Sequence, residues 1–229
     1  IVTVSDEEVL EAMVILHDLE NGPCHSLIRK AASTIASTLI RRSGTIGGNL
    51  CLDTRCFWFN QTEEWRRSID WCHKCDCDTN ADCRVIPNQN TLCVATYQGD
   101  LAPCLMVLGA SIHLAGPNGE RTMKLHDFYA LDGMKRNVLE QGEFVTHITI
   151  PKESDLLEGD YQKLRLRESW DFPEAGVAAS WRKNGSGIQE LHIATTACES
   201  IPRLHSTETE DAISGWNGQE SAKILAENI

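Results

Sequence analysis

The spacing of apolar and polar residues predicts helices in the first part of the chain. Ser5 is suited to cap a helix, acidic residues follow it, and apolar residues then recur at helical spacing up to Leu19. The stretch from Leu27 to Leu39 has the spacing of a second helix. A glycine-rich loop over residues 43–49 follows, so we expect two helices that lead into this loop.

From residue 101 onward, the pattern indicates one short apolar helix over 102–108, then strands, and polar helices after Thr207. The predicted strands cover residues 110–115, 121–125, 144–150, 161–167, 176–182 and 188–195. The first two strands flank Pro117, Asn118 and Gly119, which are typical of a hairpin turn. We therefore predict an α+β fold. The acidic run after Pro151 predicts a linker between a first unit, residues 1–152, and a second, residues 153–229.

The segment from Cys51 to Tyr97 lacks this periodicity and is dense in Cys, Trp, Asp and Asn. Seven of the ten cysteines lie between Cys51 and Cys93. Clustering of this kind favours ligation of a metal or an iron–sulfur cluster over a scatter of buried thiols. We interpret residues from about 53 to 97 as an insertion folded around a ligated group.

Composition excludes several classes of protein. The chain has 229 residues with a net charge of −12 and a pI of about 5.1, so a nucleic-acid-binding surface is not expected. No apolar run is long enough to span a membrane, and the N-terminal residues do not resemble a signal peptide. A reducing, cytoplasmic location follows as the expectation. Because the chain opens without Met inside an apolar run, we interpret it as a fragment.

The glycine-rich loop is the first candidate for chemistry. Glycines allow a backbone to approach a pyrophosphate closely, and successive N–H groups can bind an anion. A tight turn between two elements is the alternative interpretation. The loop is neither a Walker loop nor a Rossmann fingerprint. Its residues are Gly44, Thr45, Ile46, Gly47, Gly48 and Asn49.

The run from Ile40 to Leu50 resembles the second pyrophosphate loop of the flavoprotein subunits of molybdenum hydroxylases, such as xanthine and carbon monoxide dehydrogenases. The run from Gly99 to Pro103 resembles the family's S-D-L-x-P element, and residues 142–151 and 161–177 resemble later segments in the same order. The resemblance implies FAD bound by the loop, with Cys51, Asp100 and Lys163 beside it. It also implies that the first pyrophosphate loop lies ahead of Ile1 and that the C-terminal domain is truncated.

Four cysteines and their neighbours resemble the inserted loop of the 4-hydroxybenzoyl-CoA reductase flavoprotein subunit, which carries an additional [4Fe–4S] cluster. The ligands that the resemblance implies are Cys56, Cys72, Cys83 and Cys93. Three tryptophans, Trp58, Trp65 and Trp71, could shield such a cluster. Two alternatives stay open. Cys72 and Cys75 could hold zinc with Cys77, Cys83 or His73, or the thiols could be unligated or form disulfides.

The resemblance implies an electron-transfer subunit. Electrons would pass between an external carrier, such as a ferredoxin, the [4Fe–4S] cluster and FAD. Partner subunits would hold the [2Fe–2S] centres and the molybdopterin, and the inserted loop implies aromatic acyl-CoA dehydroxylation. A flavin-free module that binds a cluster or zinc is the alternative. No acid–base catalyst is expected, and we interpret Cys24, Cys104 and Cys198 as buried, and His73, His113, His126 and His147 as structural.

Overall fold

Two antiparallel sheets organise the chain in a computed structural model that describes residues 2–4, 6–88, 92–185 and 187–229. The first sheet has the order β1-β2-β5-β3-β4 and the second the order β6-β7-β8-β9. The strands of the first sheet are β1 Val2–Val4, β2 Glu7–Glu11, β3 Ser111–Gly116, β4 Gly119–Lys124 and β5 Phe144–Pro151. Those of the second are β6 Glu158–Leu164, β7 Ala175–Asn184, β8 Gly187–Thr196 and β9 Arg203–Leu204.

Short helices cover the sheets and connect them. They are α1 Leu16–Asn21, α2 Ser26–Thr34, α3 Thr38–Arg41, α4 Ile46–Leu50, α5 Glu63–Ser68, α6 Leu101–Val107, α7 Ser206–Ile213 and α8 Gln219–Asn228. Helix α6 is buried at every position and packs against α2, β7 and β8. One apolar core therefore joins residues of both sheets, such as Leu10, Ile148 and Ala178. The predicted α+β fold class is confirmed.

The predicted N-terminal helix is wrong. Residues Glu7–Glu11 form strand β2, which pairs along its whole length with β5, and the first helix begins only at Leu16. Strand β2 pairs with β5 on one edge and with β1 on the other, and these tertiary contacts override the local helical spacing. The predicted capping residue Ser5 lies outside the described residues.

The second predicted helix is shorter than expected. Helix α2 ends at Thr34, and Ala36 adopts a φ of 45°, in the left-handed region that breaks a helix. Ser37 then caps α3, its Oγ accepting from the backbone N–H of Ile40 at 3.4 Å. The chain thus turns sharply before the glycine-rich loop, and this turn forms one wall of the cleft described below.

Most later predictions are confirmed. The hairpin of β3 and β4, strand β5, helix α6, the β7–β8 pair and the C-terminal helices occur where the pattern indicated. Ser186, in the predicted turn between β7 and β8, lies outside the described residues. The expected linker is shorter than predicted, because a single 3-10 turn over Lys152–Leu156 leads into β6 at Glu158. The division at residue 152 stays a proposal.

Two histidines stack on the outer face of the first sheet. His113 of β3 lies opposite His147 of β5, with ring centroids 4.0 Å apart and an interplanar angle of 13°. Hydroxyls of Thr122 and Thr149 lie 2.8 and 3.1 Å from the two ring nitrogens of His113. Partial burial and the neighbouring His147 lower the pKa of His113 below its usual value of 6.5. These contacts hold the ring of His113 between β4 and β5.

We expect this stack to make stability depend on pH. Because the pKa of His113 is lower in the folded than in the unfolded protein, its contribution is fully present above pH 6.5 and is lost as the pH falls below that value. His113→Gln should flatten the decline of the unfolding free energy below pH 6.5, measured by urea denaturation. His147→Gln should flatten this decline partly, because it removes the neighbouring imidazole that lowers the pKa of His113. An unchanged slope in both variants would contradict this origin.

Candidate functional site

The glycine-rich loop is held tightly against the segment that follows β2. Backbone N–H groups of Ile46 and Gly47 donate to the carbonyls of Val14 and Ala12, both at 2.9 Å. The N–H of Leu16 donates to Gly44 at 2.9 Å. A Cβ on Gly47 would lie 3.0 Å from both Cβ and O of Ala12, so only glycine fits without displacement. The loop is consequently a fixed scaffold rather than a mobile turn.

The second half of the predicted loop is helical, which the sequence pattern did not indicate. Helix α4 begins at Ile46, and Thr45 caps it, with its Oγ1 accepting from the N–H of Gly48 at 3.1 Å. Asn49 is buried, and its Oδ1 accepts from the N–H of Leu101 at 3.3 Å. The loop is thereby tied to the start of α6, next to Asp100.

A cleft of about 370 Å³ opens beside this loop. It is lined by Leu16, Ile35, Ala36, Ile40, Gly44, Thr45, Gly48, Asn49, Leu52, Asp100, Trp170, Asp171 and Phe172. Of the six predicted loop residues, four line the cleft, whereas Ile46 and Gly47 are buried beneath it. Cys51 does not line it but packs half-buried against the core. The cleft is mostly apolar, with the polar groups concentrated at the loop and at Asp100.

The far wall of the cleft comes from the segment after β6. Trp170, Asp171 and Phe172 lie there, and the backbone N–H of Trp170 approaches the carbonyl of Ala36 at 3.4 Å. The guanidinium of Arg55 lies over the ring of Phe172, 4.5 Å from its centroid. Residues 161–177 resemble the family in sequence, but the place of Asp171 at this cleft could be known only from the folded chain.

Asp100 and Lys163, two predicted site residues, form a buried ion pair at the cleft. The Nζ of Lys163 lies 3.0 Å from Oδ1 of Asp100, and both side chains are 3% exposed. Tyr161 donates to the same carboxylate at 2.7 Å, and Lys163 also donates to the carbonyl of Thr34 at 3.1 Å. Burial raises the pKa of Asp100 and lowers the pKa of Lys163, and each charge opposes the shift of the other. Lys163 therefore holds Asp100 in place rather than lining the cleft itself.

Four cysteines of the insertion, named here the cysteine cage, gather in one region. Cys72, Cys83 and Cys93 are buried and Cys56 is half-buried. Burial raises the pKa of Cys56, and the neighbouring Cys72 and Cys83 raise it further. Burial likewise raises the pKa of Cys93 to about 11, with Cys56 and Cys83 contributing. Charges influence one another in this way only when they lie near one another, so these thiols share one region of the insertion.

Backbone N–H groups point at two of these sulfurs. Phe59 donates to Sγ of Cys56 at 3.2 Å, and Ala95 donates to Sγ of Cys93 at 3.4 Å. Cys75 and Cys77 are exposed. Partial burial raises the pKa of Cys75, and the charge of Cys72 contributes to this rise. In the part of the chain that the structure describes, no group of three or more His, Cys, Asp or Glu side chains is arranged to hold a metal ion.

The insertion is braced by residues that sequence reasoning missed. Arg66 donates to both carboxylate oxygens of Asp76, at 2.9 and 3.2 Å, and Oδ2 of Asp76 accepts from the N–H of Cys72 at 3.0 Å. Lys74 is buried and donates to Oγ1 of Thr54 at 2.6 Å and to Asp53 at 2.7 Å. These polar contacts replace an apolar core in the insertion, and no sequence periodicity marks them.

The aromatic residues of the insertion pack on one another. Phe57 meets Trp58 and Trp65 edge-to-face, with ring centroids 5.5 and 5.8 Å apart. Trp71 lies beneath the guanidinium of Arg67.

Cys198, which we expected to be buried, is exposed, because it lies in the turn after β8 rather than inside that strand. Cys24 and Cys104 are buried as expected.

Comparison with known proteins identifies related chains. Residues 3–153 match the family described as the FAD binding domain in molybdopterin dehydrogenase. The FAD-binding subunit PaoB of the Escherichia coli (strain K12) aldehyde oxidoreductase is 28% identical over 71% of this chain and 52% of the relative. The carbon monoxide dehydrogenase medium chain of Hydrogenophaga pseudoflava is 25% identical over 82% of this chain and 51% of the relative.

A solved structure shows the same fold. Carbon monoxide dehydrogenase from Hydrogenophaga pseudoflava aligns with a TM-score of 0.73 and 22% identity, covering 99% of this chain and 64% of that chain. The chain spans about half the length of the curated relatives that it matches. Along the described residues, the helices are too short or too polar to cross a bilayer.

Proposed function

Because the chain belongs to the family of FAD-binding domains in molybdopterin dehydrogenases, we propose that it binds FAD and transfers electrons within a molybdenum-dependent oxidoreductase. The observation that supports this most directly is the cleft between the glycine-rich loop, Asp100 and the segment of Trp170. The loop meets the cleft with glycines and small side chains, which allows the close approach of a pyrophosphate.

The residues of the cleft fit such a group. Thr45, Gly48 and Asn49 would hold the phosphates, and the apolar walls would exclude water from the ring system. Lys163 and Tyr161 orient the Asp100 carboxylate toward the cleft, so Lys163 would act through Asp100. Cys51, one residue after α4, would lie near the bound group. FAD would supply the electron-transfer chemistry, and the protein would position and tune it.

We also propose that the cysteine cage holds a [4Fe–4S] cluster. Four thiols fit the ligand set of such a cluster, and the N–H donors at Cys56 and Cys93 are of the kind that stabilise cluster thiolates. The thiolates that bind a [4Fe–4S] cluster lie further apart than those that bind a single metal ion. Burial raises the pKa of Cys56 and of Cys93, and deprotonation of both thiols would accompany binding. The packed aromatic residues Phe57, Trp58 and Trp65 would limit access of water.

The wider assembly follows the family. The partners would be a molybdopterin-binding large subunit and a [2Fe–2S] small subunit in a hetero-oligomer, with a ferredoxin-like or other external carrier that exchanges electrons with the cluster. The resemblance of the insertion supports aromatic acyl-CoA dehydroxylation as the overall activity. Residues 1–152, with the insertion at about 53–97, would carry the flavin, and residues 153–229 would form the C-terminal unit. All ten cysteines are free, which suits a reducing compartment such as the cytoplasm.

The test is a determination of iron, acid-labile sulfide, zinc and flavin in full-length protein purified without oxygen. We expect about four iron and four sulfide per chain together with FAD. Iron and sulfide without flavin would instead favour a flavin-free cluster module. Zinc, or no metal at all, would contradict the cluster and leave only the family membership.

A further inference from the structure

Tyr97 and Tyr129 form a buried pair whose hydroxyls meet at the C-terminal end of α4. The two hydroxyl oxygens are 3.2 Å apart, and the ring centroids are 4.8 Å apart. The hydroxyl of Tyr97 lies 3.1 Å from the carbonyl oxygen of Asn49, and Tyr129 donates to the carbonyl of Leu50 at 3.2 Å. Carbonyls at a helix end have no partner within the helix, so the tyrosines satisfy them. The same short helix carries Gly48 and Asn49, which line the cleft.

Tyr97 is also attached to the cysteine cage through its own segment of the chain. It follows Cys93 by four residues, and its neighbour Thr96 exchanges two backbone hydrogen bonds of 2.8 Å with Arg55. Arg55 directly precedes Cys56. The segment that carries Tyr97 is thus joined to two of the four cage cysteines.

Tyr129 is attached to the cage through the segment that follows it. Gly133 in this segment donates to the carbonyl of Cys93 at 2.8 Å, and Oδ1 of Asp132 accepts from the N–H of Cys93 at 3.0 Å. A Cβ on Gly133 would lie 2.8 Å from Sγ of Cys93, so the segment packs directly on this thiol. A β-bridge between Tyr129 and Asn137 closes the segment. A shift of Cys93 would therefore reach both tyrosines.

We propose that the Tyr97–Tyr129 pair couples the cysteine cage to the flavin cleft. When the cage is filled, Cys93 is held by its metal bond, and both tyrosine hydroxyls are held against the carbonyls of α4. The helix then presents Gly48 and Asn49 to the cleft in one arrangement. This inference rests on the proposed flavin and cluster binding. Coupling of this kind is reciprocal, so bound flavin should also strengthen binding of the cluster by the same factor.

The experiment compares FAD affinity in two states of full-length protein: with the cluster intact and after anaerobic removal of iron by a chelator. The dissociation constant is measured by quenching of flavin fluorescence. Wild-type protein with the cluster should bind FAD about fivefold or more tightly than cluster-free protein. In the double variant Tyr97→Phe, Tyr129→Phe, this ratio should fall to about one. Cys83→Ala gives a second cluster-free form without chelator and should reproduce the weaker binding.

The matched control is Ser180→Ala. It removes another buried hydroxyl that donates to a helix carbonyl, that of Val107 at 2.6 Å, away from both sites. Its affinity ratio should equal that of wild type. If the double variant does not fold, Tyr129→Phe alone should lower the ratio partly. Equal affinities in the two wild-type states, or an undiminished ratio in the tyrosine variants, would overturn the coupling alone. No FAD binding in either wild-type state would overturn the proposed function together with it.

Discussion

Replacing Cys83 with alanine should remove nearly all of the iron from the protein, from about four atoms per chain to less than about one. Cys83 is buried, and it lies close enough to Cys56 and Cys93 for its charge to contribute to the raised pKa of both thiols. Replacement of a thiolate by a methyl group leaves one iron without a protein ligand. Iron, acid-labile sulfide and visible absorbance of anaerobically purified protein measure the effect.

Cys77 is the matched control, because it lies in the same insertion but is exposed. Cys77→Ala should retain the wild-type iron content. The same contrast is expected between Cys72→Ala and Cys75→Ala, which distinguishes the ligand set implied by the resemblance from one that uses the C-x-x-C pair. Iron that survives Cys83→Ala, or that disappears in Cys77→Ala, would show that the cage has been assigned to the wrong cysteines.

Replacing Lys163 with methionine should lower the free energy of unfolding by about 3–5 kcal/mol. The substitution leaves the carboxylate of Asp100 buried without its paired cation, and only the hydroxyl of Tyr161 and the more distant charge of Arg165 still compensate it. The loss of an ion pair is costly here because both side chains are 3% exposed and water cannot replace the missing partner. Urea denaturation of the two proteins under the same conditions gives the difference.

The control for this prediction is Lys30→Met, which removes an ion pair with Asp160 on the surface. Both side chains of that pair are more than 40% exposed, so a change of no more than about 1 kcal/mol is expected. The double variant Asp100→Asn, Lys163→Met should lose less stability than Lys163→Met alone, because no unpaired charge remains buried. Comparable losses at Lys163 and Lys30 would mean that the buried pair is not electrostatically important.

Local sequence patterns correctly predicted those helices and strands that their own residues specify. Alternating apolar positions and a turn sequence predicted the β3–β4 hairpin and the β7–β8 pair, and helix α6 followed from an apolar run. The same reasoning failed for residues Glu7–Glu11. Their spacing suits a helix, but the distant strand β5 and the adjacent strand β1 supply backbone partners on the two edges of β2. The cap by Thr45 that starts α4 within the loop was likewise missed, because glycines do not indicate a helix.

The sequence alone singled out the residues that we propose bind the cofactors: the glycine-rich loop, Asp100, and four of the ten cysteines. A glycine-rich loop, an aspartate and clustered cysteines seldom occur together in this pattern, and their order along the chain identifies the family. Only the tertiary structure decided how they are used. In the folded chain, Lys163 pairs with Asp100 rather than lining the cleft, and Trp170 and Gly48 line the same cleft. The tertiary structure also joined the cage to the loop through Tyr97 and Tyr129. These contacts link residues far apart in sequence, and their geometry arises from packing, on which spacing along the chain carries no information.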